Sequence, residues 1–478
     1  MQLEDLILTT PYLTLDEEFF RETTPEPLDK PYLIHFNQNA AKLIDLDTSS
    51  DNPDIVKLLN GDFKLEGSTF FAMCYAGHQF GHYNPWLGDG RAHNLGKKNG
   101  WNLQLKGSGE TLYSRGADGR AAMRSSIREY LMSEAMFHLG IPTTRALGII
   151  GSKTEILRKR MEPSSIVMRM SKSWIRFGSF EYFYYRKQNK KLEELAEYVI
   201  NESFPHLKNS EDRFFQMFCE VLERTAKLIA NWQGVGFNHG VMNTDNMSIE
   251  GLTIDYGPYA MLDDFNYNFI CSTSDKMGRY AYGEQPNISY WNLTKLSEAL
   301  SPIISKEKMQ KKLDEYGAFI YPTAYITVMR QKLGLLTSAE SDANLVESLV
   351  VALHEAYVDH TLFFRTLSHY DGDRAPLYDI AMNPIAIDNW LKLYDARLVQ
   401  ESSTHKERQK KMLKTNPKYV LKNYMLEQAI NRAELGDFKM VENLITMAEH
   451  PYDELPEFEA FAGDTPEEFK NIALSCSS

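Results

Sequence analysis

Residues 239–246, HGVMNTDN, place a histidine, two asparagines and an aspartate within eight positions, and a second aspartate, Asp255, follows in IDYGP. Hard divalent cations take oxygen ligands, and Mg²⁺ is commonly held by one or two protein oxygens while substrate phosphates complete its shell. Asn246 and Asp255 offer an amide oxygen and a carboxylate for that role. Asp245, beside Asn246, is a second acid that can take or orient a proton. An Asx-rich turn followed by a Gly-Pro turn would use the same residues without any chemistry. The rest of the chain has to decide between the two.

Three glycine clusters precede this loop: LGDGR at 87–91, KGSG at 106–109 and RGADGR at 115–120. Glycines let backbone N–H groups approach a phosphate closely, and neighbouring Arg or Lys side chains add charge. None of the three matches the P-loop pattern GxxxxGK[ST], which excludes that class of NTPase. Lys106 closes a strand-like run, and Glu129 sits on the first long helical segment after it. A strand lysine fixed by a helix glutamate is how protein kinases hold nucleotide phosphates. Arg169 and Arg176 flank MSKSWI on a segment with strand-like alternation, and arginines near a phosphate site bind its oxygens bidentately. Taken singly, each of these reads as easily as a turn or a surface charge. Their order along the chain, Gly/Arg, Lys, Glu, Arg, Asp-Asn, Asp, is what joins them. One position departs from a kinase: its catalytic Asp falls two residues after the loop His, where this chain has Val241.

The elements that must position these residues follow from hydrophobic periodicity. WNLQLKG alternates Leu103 and Leu105 with Gln104 and Lys106, a strand ending on the lysine. Residues 120–139 carry apolar side chains at 123, 127, 130, 131 and 135, a helix stopped by Gly140 and Pro142. Residues 213–233 repeat apolar positions at helical spacing, and Gly234 and Gly236 are expected to end that helix just before HGVMNTDN. LTIDYG (252–257) reads as a short strand running into a turn. Residues 145–191 form a local basic zone, and most of the chain beyond it is helical in pattern. A Gly-rich, strand-bearing first part before a mainly helical second part predicts an α+β domain of two lobes with a cleft between them. The expected boundaries are an N-terminal extension at 1–65, a nucleotide-binding lobe at 66–190, a helical lobe at 191–450 and a tail at 451–478.

Composition sets outer limits. The 478 residues are 43% hydrophobic and 12% aromatic, enough for a sizeable core. A formal net charge of −13 argues against generic nucleic-acid binding. The acidic start MQLEDLILTT has neither the basic region of a signal peptide nor the pattern of a mitochondrial presequence, and no apolar run approaches the ~20 residues of a membrane span. The expected compartment is the cytoplasm. Cys74, Cys219, Cys271 and Cys476 are scattered without a CxxC pair, which excludes the common zinc spacings and a secreted disulfide framework. Cys476 stands apart, in a polar SCSS ending where packing gives a thiol no purpose.

Together these motifs resemble the selenoprotein O family. The matching strings are GHQFG (77–81), LGDGR, LKGSGETLYSRGADGRAAMRSSIRE (105–129), LGIPTTRAL (139–147), RFGSFEYFYYR (176–186) and GVGFNHGVMNTDNMSIEGLTIDYGPYAMLDDF (234–265). The resemblance implies a protein-kinase-like fold that binds ATP in a flipped orientation and transfers AMP to Ser, Thr or Tyr hydroxyls of proteins, with UMP transfer and Mn²⁺ in bacterial members. It implies nucleotide contacts from Gly88, Gly90, Arg91, Lys106, Asp118, Gly119, Arg169, Arg176 and Asp255, with Glu129 paired to Lys106. It makes Asn246 and Asp255 ligands of Mg²⁺ or Mn²⁺, and Asp245 the base. Cys476 takes the position where some members carry selenocysteine, and the resemblance implies a redox disulfide between Cys271 and Cys476. The partners implied are a nucleotide and protein acceptors, with neither nucleic acid nor membrane. Two rivals stay open: a nucleotide-binding scaffold without activity, and a γ-phosphoryl kinase, which Val241 disfavours.

Overall fold

The computed structural model describes residues 1–158, 160–470, 472 and 474. Strands β1 (Phe20–Glu22), β2 (Tyr32–Phe36) and β3 (Phe71–Met73) precede a separate hairpin of β4 (Gly77–Gln79) and β5 (His82–Asn84). Then come β6 (Ala92–Lys98), β7 (Trp101–Lys106), β8 (Ala121–Ala122), β9 (Arg145–Leu157) and β10 (Met161–Ser171). The main sheet runs β1-β3-β6-β7-β10-β9-β2, with β8 on β10 and every pair antiparallel. Both ends of that order are strands from the first 36 residues, so the N-terminal segment is woven into the sheet.

The alternation in β7 assigns its two faces. Leu103 and Leu105 are fully buried with Ile166, Met168 and Met170 of β10, under the short helices α1 (Gln38–Ala41) and α2 (Pro53–Asn60). Each such leucine contributes about 2 kcal/mol by leaving water, which fixes the strand's register. The opposite face then carries Gln104, Lys106 and, from β10, Val167 and Arg169, which pair as Arg169↔Gln104 and Val167↔Lys106. This face is covered by α3 (Met123–His138), whose Ile127, Tyr130 and Leu131 are buried against it.

The second half is helical, with α4 (Phe177–Tyr185), α5 (Asn189–Ser203), α6 (Arg213–Val235), and α7 (Gln285–Leu300) followed by further helices to Lys439–Glu449. Phe218, Val221, Leu222, Ile229 and Trp232 form the buried stripe of α6. Gly236, at φ 76°, ends that helix and donates its N–H back to its last turn. Gly234 does not end it. It is helical, and a Cβ there would come 2.5 Å from Val328, so the glycine serves the packing of helix Tyr321–Lys332.

Two other expectations change. Residues 252–257 form no strand, because Thr253 alone makes bridges, to Thr143 and to Met247, and its N–H goes to the Pro142 carbonyl. Arg176 is not on a strand either: β10 stops at Ser171, and Arg176 is the residue before α4, its N–H given to Ser179 Oγ at 3.3 Å. The two short strands β11 (Phe237–Asn238) and β12 (Ala260–Met261) pair and bring the 239–246 loop beside the Asp255 turn. The final segment packs on this half, with Lys470 Nζ 2.9 Å from Asp264. Among the described residues no helix is long and apolar enough to cross a membrane.

Candidate active site

Four charged side chains meet where the sheet faces the 239–246 loop. Lys106 Nζ lies 2.6 Å from Glu129 Oε2 and 2.5 Å from Asp255 Oδ1. Arg169 Nη1 lies 2.7 Å from Glu129 Oε1 and 3.3 Å from Asp255 Oδ1. Antiparallel register puts Lys106 and Arg169 on one face two pairs apart, and α3 lowers Glu129 between them. Burial alone would raise the Asp255 carboxyl, but Lys106 and then Arg169 hold it well below the usual carboxylate range. It is therefore an anion at any working pH.

The loop is braced from below. His239 is buried, stacked on Trp232 at 5.1 Å, and burial pulls its imidazole down to about 4, so it is neutral. Its Nδ1 accepts from Val241 N–H at 3.4 Å, which leaves Nε2–H to donate to the Asp255 carbonyl at 3.1 Å. Asn246 donates Nδ2–H to the Val241 carbonyl at 3.0 Å. That bond turns Oδ1 away as the atom available to a ligand.

Asp245 occupies a drier position. Its Oδ2 accepts from Gln79 Nε2 at 3.2 Å, its Oδ1 is buried with no hydrogen-bond partner among the described residues, and Arg176 Nη1 donates to its backbone carbonyl at 2.9 Å. Burial pushes its carboxyl up to about 7 against the opposing charge of Arg176. A carboxylate near neutrality is suited to taking a proton and giving it up.

A cavity of about 700 Å³ opens onto this group. Its lining includes Gly88, Gly90, Arg91, Lys106, Asp118, Gly119, Arg169, Arg176, Asp245, Asn246 and Asp255. The geometry thus assembles these predicted residues on one wall or another of one space. Glu129 stands behind Lys106 and lines an adjoining cavity of about 290 Å³, shared with Val241, Asp245, Asn246 and Asp255. Seven cationic side chains, Lys106 and Arg91, Arg115, Arg120, Arg158, Arg169 and Arg176, face four carboxylates across the larger one. In a chain of net charge −13, that local excess suits a polyanion such as a triphosphate.

The glycine clusters form the roof. Thr111 Oγ1 donates to the Asp89 carbonyl at 2.7 Å and Ser114 Oγ to the Gly90 carbonyl at 2.5 Å, strapping the 109–119 loop onto the 87–91 turn. Gly119 sits at φ 62°, where a Cβ would lie 2.0 Å from the Gly109 carbonyl oxygen, so no other residue fits. Asp118 is held by Arg158 through two 2.8 Å contacts.

Several lining residues escaped the sequence reading. Asp89, between the two glycines of GDG, is buried and accepts from Met73 N–H at 3.0 Å and Asn94 Nδ2 at 2.8 Å, fixing the turn. Arg158 lay within the basic zone but carried no motif of its own. Tyr75 places its ring 4.2 Å from the Arg176 guanidinium carbon. Cys271 is apart from the cavity, its sulfur against the Gly240 and Pro258 backbones behind the loop. Cys476 lies outside the described residues.

The donor set fits a divalent cation that arrives with its nucleotide. Among the described residues no group of three or more His, Cys, Asp or Glu side chains is placed to chelate a metal. Asn246 Oδ1 and Asp255 supply two oxygens, and Mg²⁺ or Mn²⁺ would take the rest from phosphates and water.

Comparison with known proteins agrees with this layout. The family model described as protein adenylyltransferase SelO matches residues 2–449. A protein nucleotidyltransferase YdiU of Myxococcus xanthus is 46% identical over 486 aligned positions, covering 100% of this chain and 99% of the relative. Proteins of the same name from Thiobacillus denitrificans and Thioalkalivibrio sulfidiphilus are 45% and 46% identical, covering 100% of this chain and 99% and 100% of theirs.

Proposed function

From the premise that this chain belongs to the SelO family and is a nucleotidyltransferase, we propose that it transfers AMP from ATP to Ser, Thr or Tyr hydroxyls of protein substrates and releases pyrophosphate. The observation that carries this reading is the pairing of a strongly cationic cavity with a buried acid at 245 and none at 241. A γ-phosphoryl kinase needs its acid two residues after the loop histidine, and Val241 supplies only a carbonyl there. With ATP bound in the flipped orientation, the α-phosphorus is the atom presented to the acceptor, and an acid displaced to position 245 suits that displaced centre.

In the reaction the acceptor oxygen attacks the α-phosphorus, its bond to the bridging oxygen of the β-phosphate breaks, and the acceptor proton passes to Asp245. Pyrophosphate leaves with the bonding electrons, so negative charge grows on the β-phosphate side. Lys106, Arg169 and Arg176 face that charge as preorganised cations, which costs no reorganisation during the step. Glu129 keeps Lys106 and Arg169 aimed. Asn246 and Asp255 would hold Mg²⁺ or Mn²⁺, which would supply further charge neutralisation to the phosphates. UTP undergoes the same chemistry, with UMP as the group moved, and a cytoplasmic location accompanies the use of nucleoside triphosphates. The Cys271 sulfur against Gly240, with the Leu474 carbonyl accepting Thr273 N–H at 2.8 Å, supports redox control by a Cys271–Cys476 bond.

The deciding experiment incubates the protein and an acceptor with ATP labelled at the α- or the γ-phosphate. Label in protein from α alone is the expected result. Label from γ makes the protein a kinase, and label from neither makes it a scaffold.

A further inference from the structure

The GHQFG string finds no role in the chemistry above, yet it forms the hairpin β4–β5 that grips the catalytic loop residue by residue. His78 N–H donates to Thr244 Oγ1 at 2.7 Å, and Phe80 N–H to Tyr280 OH at 2.9 Å, whose hydroxyl in turn donates to Asn243 Oδ1 at 2.7 Å. Gly77 lies so close that a Cβ would come 2.7 Å from Asp245 Oδ1. Between these anchors Gln79 gives its amide N–H to Asp245 Oδ2 at 3.2 Å, and its own Oε1 accepts from Asn84 Nδ2 at 3.4 Å. Gln79 also lines the adjoining cavity with Asp245 and Val241.

We propose that Gln79 is a positioning residue for nucleotidyl transfer: its amide fixes the Asp245 carboxylate so that Oδ2 faces the acceptor hydroxyl. The proposal rests on Asp245 as the base. Asp245 has two oxygens with unequal surroundings. Oδ1 is sealed against Gly77 with no donor among the described residues, so Oδ2 is the oxygen a proton can reach, and Gln79 Nε2 is bonded to it. The amide carries no charge and cannot itself take the acceptor proton, so it holds the base without competing with it. The other groups facing Asp245 are Arg176 just before α4, Glu181 of α4 and the Tyr75 and Tyr280 phenols, with Lys106, Arg91 and Asp255 across the cavity. Among them Arg176 is bonded to the Asp245 backbone carbonyl, so it sets the loop's position without selecting a carboxylate oxygen.

The test measures kcat and KM for α-label transfer in Gln79→Ala. Loss of one hydrogen bond to a charged group predicts a fall in kcat of about ten- to a hundredfold, with KM for ATP within about twofold of wild type. In an Asp245→Asn background, read at its residual rate, Gln79→Ala changes nothing more. Asn84→Ala, which loosens only the far end of the Gln79 amide, gives a smaller fall in kcat, again with KM unchanged, and carries the test if Gln79→Ala does not fold. A Gln79→Ala protein with wild-type kcat overturns the proposal, as does an equal loss in the wild-type and Asp245→Asn backgrounds. Full transfer by Asp245→Asn alone would instead remove the base assignment, a result read without any change at Gln79.

Discussion

Asn246 hangs its side-chain N–H on the backbone carbonyl of Val241 at 3.0 Å, so under the proposed mechanism the position without an acid would aim the metal ligand at 246. The side chain at 241 is therefore replaceable while its carbonyl is not. Asn246→Asp keeps a ligand oxygen but sets a second acceptor against that carbonyl. We expect it to raise the half-saturating Mg²⁺ or Mn²⁺ concentration about 10- to 100-fold, read from α-label transfer across a metal titration. Val241→Ala keeps the carbonyl, and its metal dependence should match wild type. Equal behaviour of Asn246→Asp and wild type would remove this support role.

Glu129 divides its two oxygens between Lys106 and Arg169, at 2.6 and 2.7 Å, with all three side chains buried. Replacing it by Gln leaves two buried cations to share Asp255. Breaking a buried pair from one side costs about 3 kcal/mol, visible as a lower urea midpoint with an unchanged slope. Transfer should fall at least about tenfold, because Lys106 is then held by Asp255 alone and is no longer aimed from two sides. A Glu129→Gln protein with wild-type midpoint and rate would show that the pair aims nothing.

Much of this site was legible because strong periodicity fixes faces. The alternation Leu103, Gln104, Leu105, Lys106 already stated which side chains meet the cleft, and the helix carrying Glu129 was set by its apolar stripe. The glycine clusters were visible, but not that Thr111 and Ser114 strap them together, since those bonds join segments more than twenty residues apart. Arg176 was placed on a strand because alternation continued past Ser171, where the backbone in fact turns into a helix start. Residues 252–257 looked like a strand because Leu252 and Ile254 alternate with polar neighbours. Their backbone partners are single bridges to Pro142–Thr144 and Met247, a tertiary arrangement that no local pattern encodes. Gln79 stayed invisible as chemistry because an amide has no titration and its partner is 166 residues away.

The raised carboxyl of Asp245 makes a prediction about stability with a definite sign. In the unfolded chain this group ionises near 4, and in the folded protein burial moves it up to about 7. The folded state therefore binds its proton more tightly, a stabilisation complete below about pH 4 and lost as pH rises toward 7, at about 1.4 kcal/mol per unit at most. Asp245→Asn removes that dependence. Its melting temperature should exceed that of wild type at pH 8 and converge with it near pH 4, while transfer falls to a residual rate at both. A difference that does not vary with pH would show that Asp245 is not the buried acid described.

The last prediction concerns the Cys271 sulfur, which touches the backbone of the catalytic loop. A Cβ on Gly240 would come 2.3 Å from it, and Gly240 directly follows His239, the residue that braces Asp255. Leu474 lies at this point, since Ser272 and Leu474 form a parallel bridge and Leu474 packs with Cys271 and Ala260. A bond between Cys271 and Cys476, formed as two thiols give up two protons and two electrons to a thiol oxidant, would tie the tail to the loop's rear wall. Tying it restrains the turn that must accommodate nucleotide and acceptor, so the oxidised protein should transfer AMP more slowly than the protein in dithiothreitol. The measurement compares the two states for wild type, Cys271→Ser, Cys476→Ser and the double variant. Each single serine should abolish the difference, and the double variant should add nothing, as two ends of one bond require. A redox response that survives in either single variant assigns the effect to another thiol, Cys74 or Cys219. Burial pushes these two up to about 12 and about 11, which leaves them poorly reactive at neutral pH.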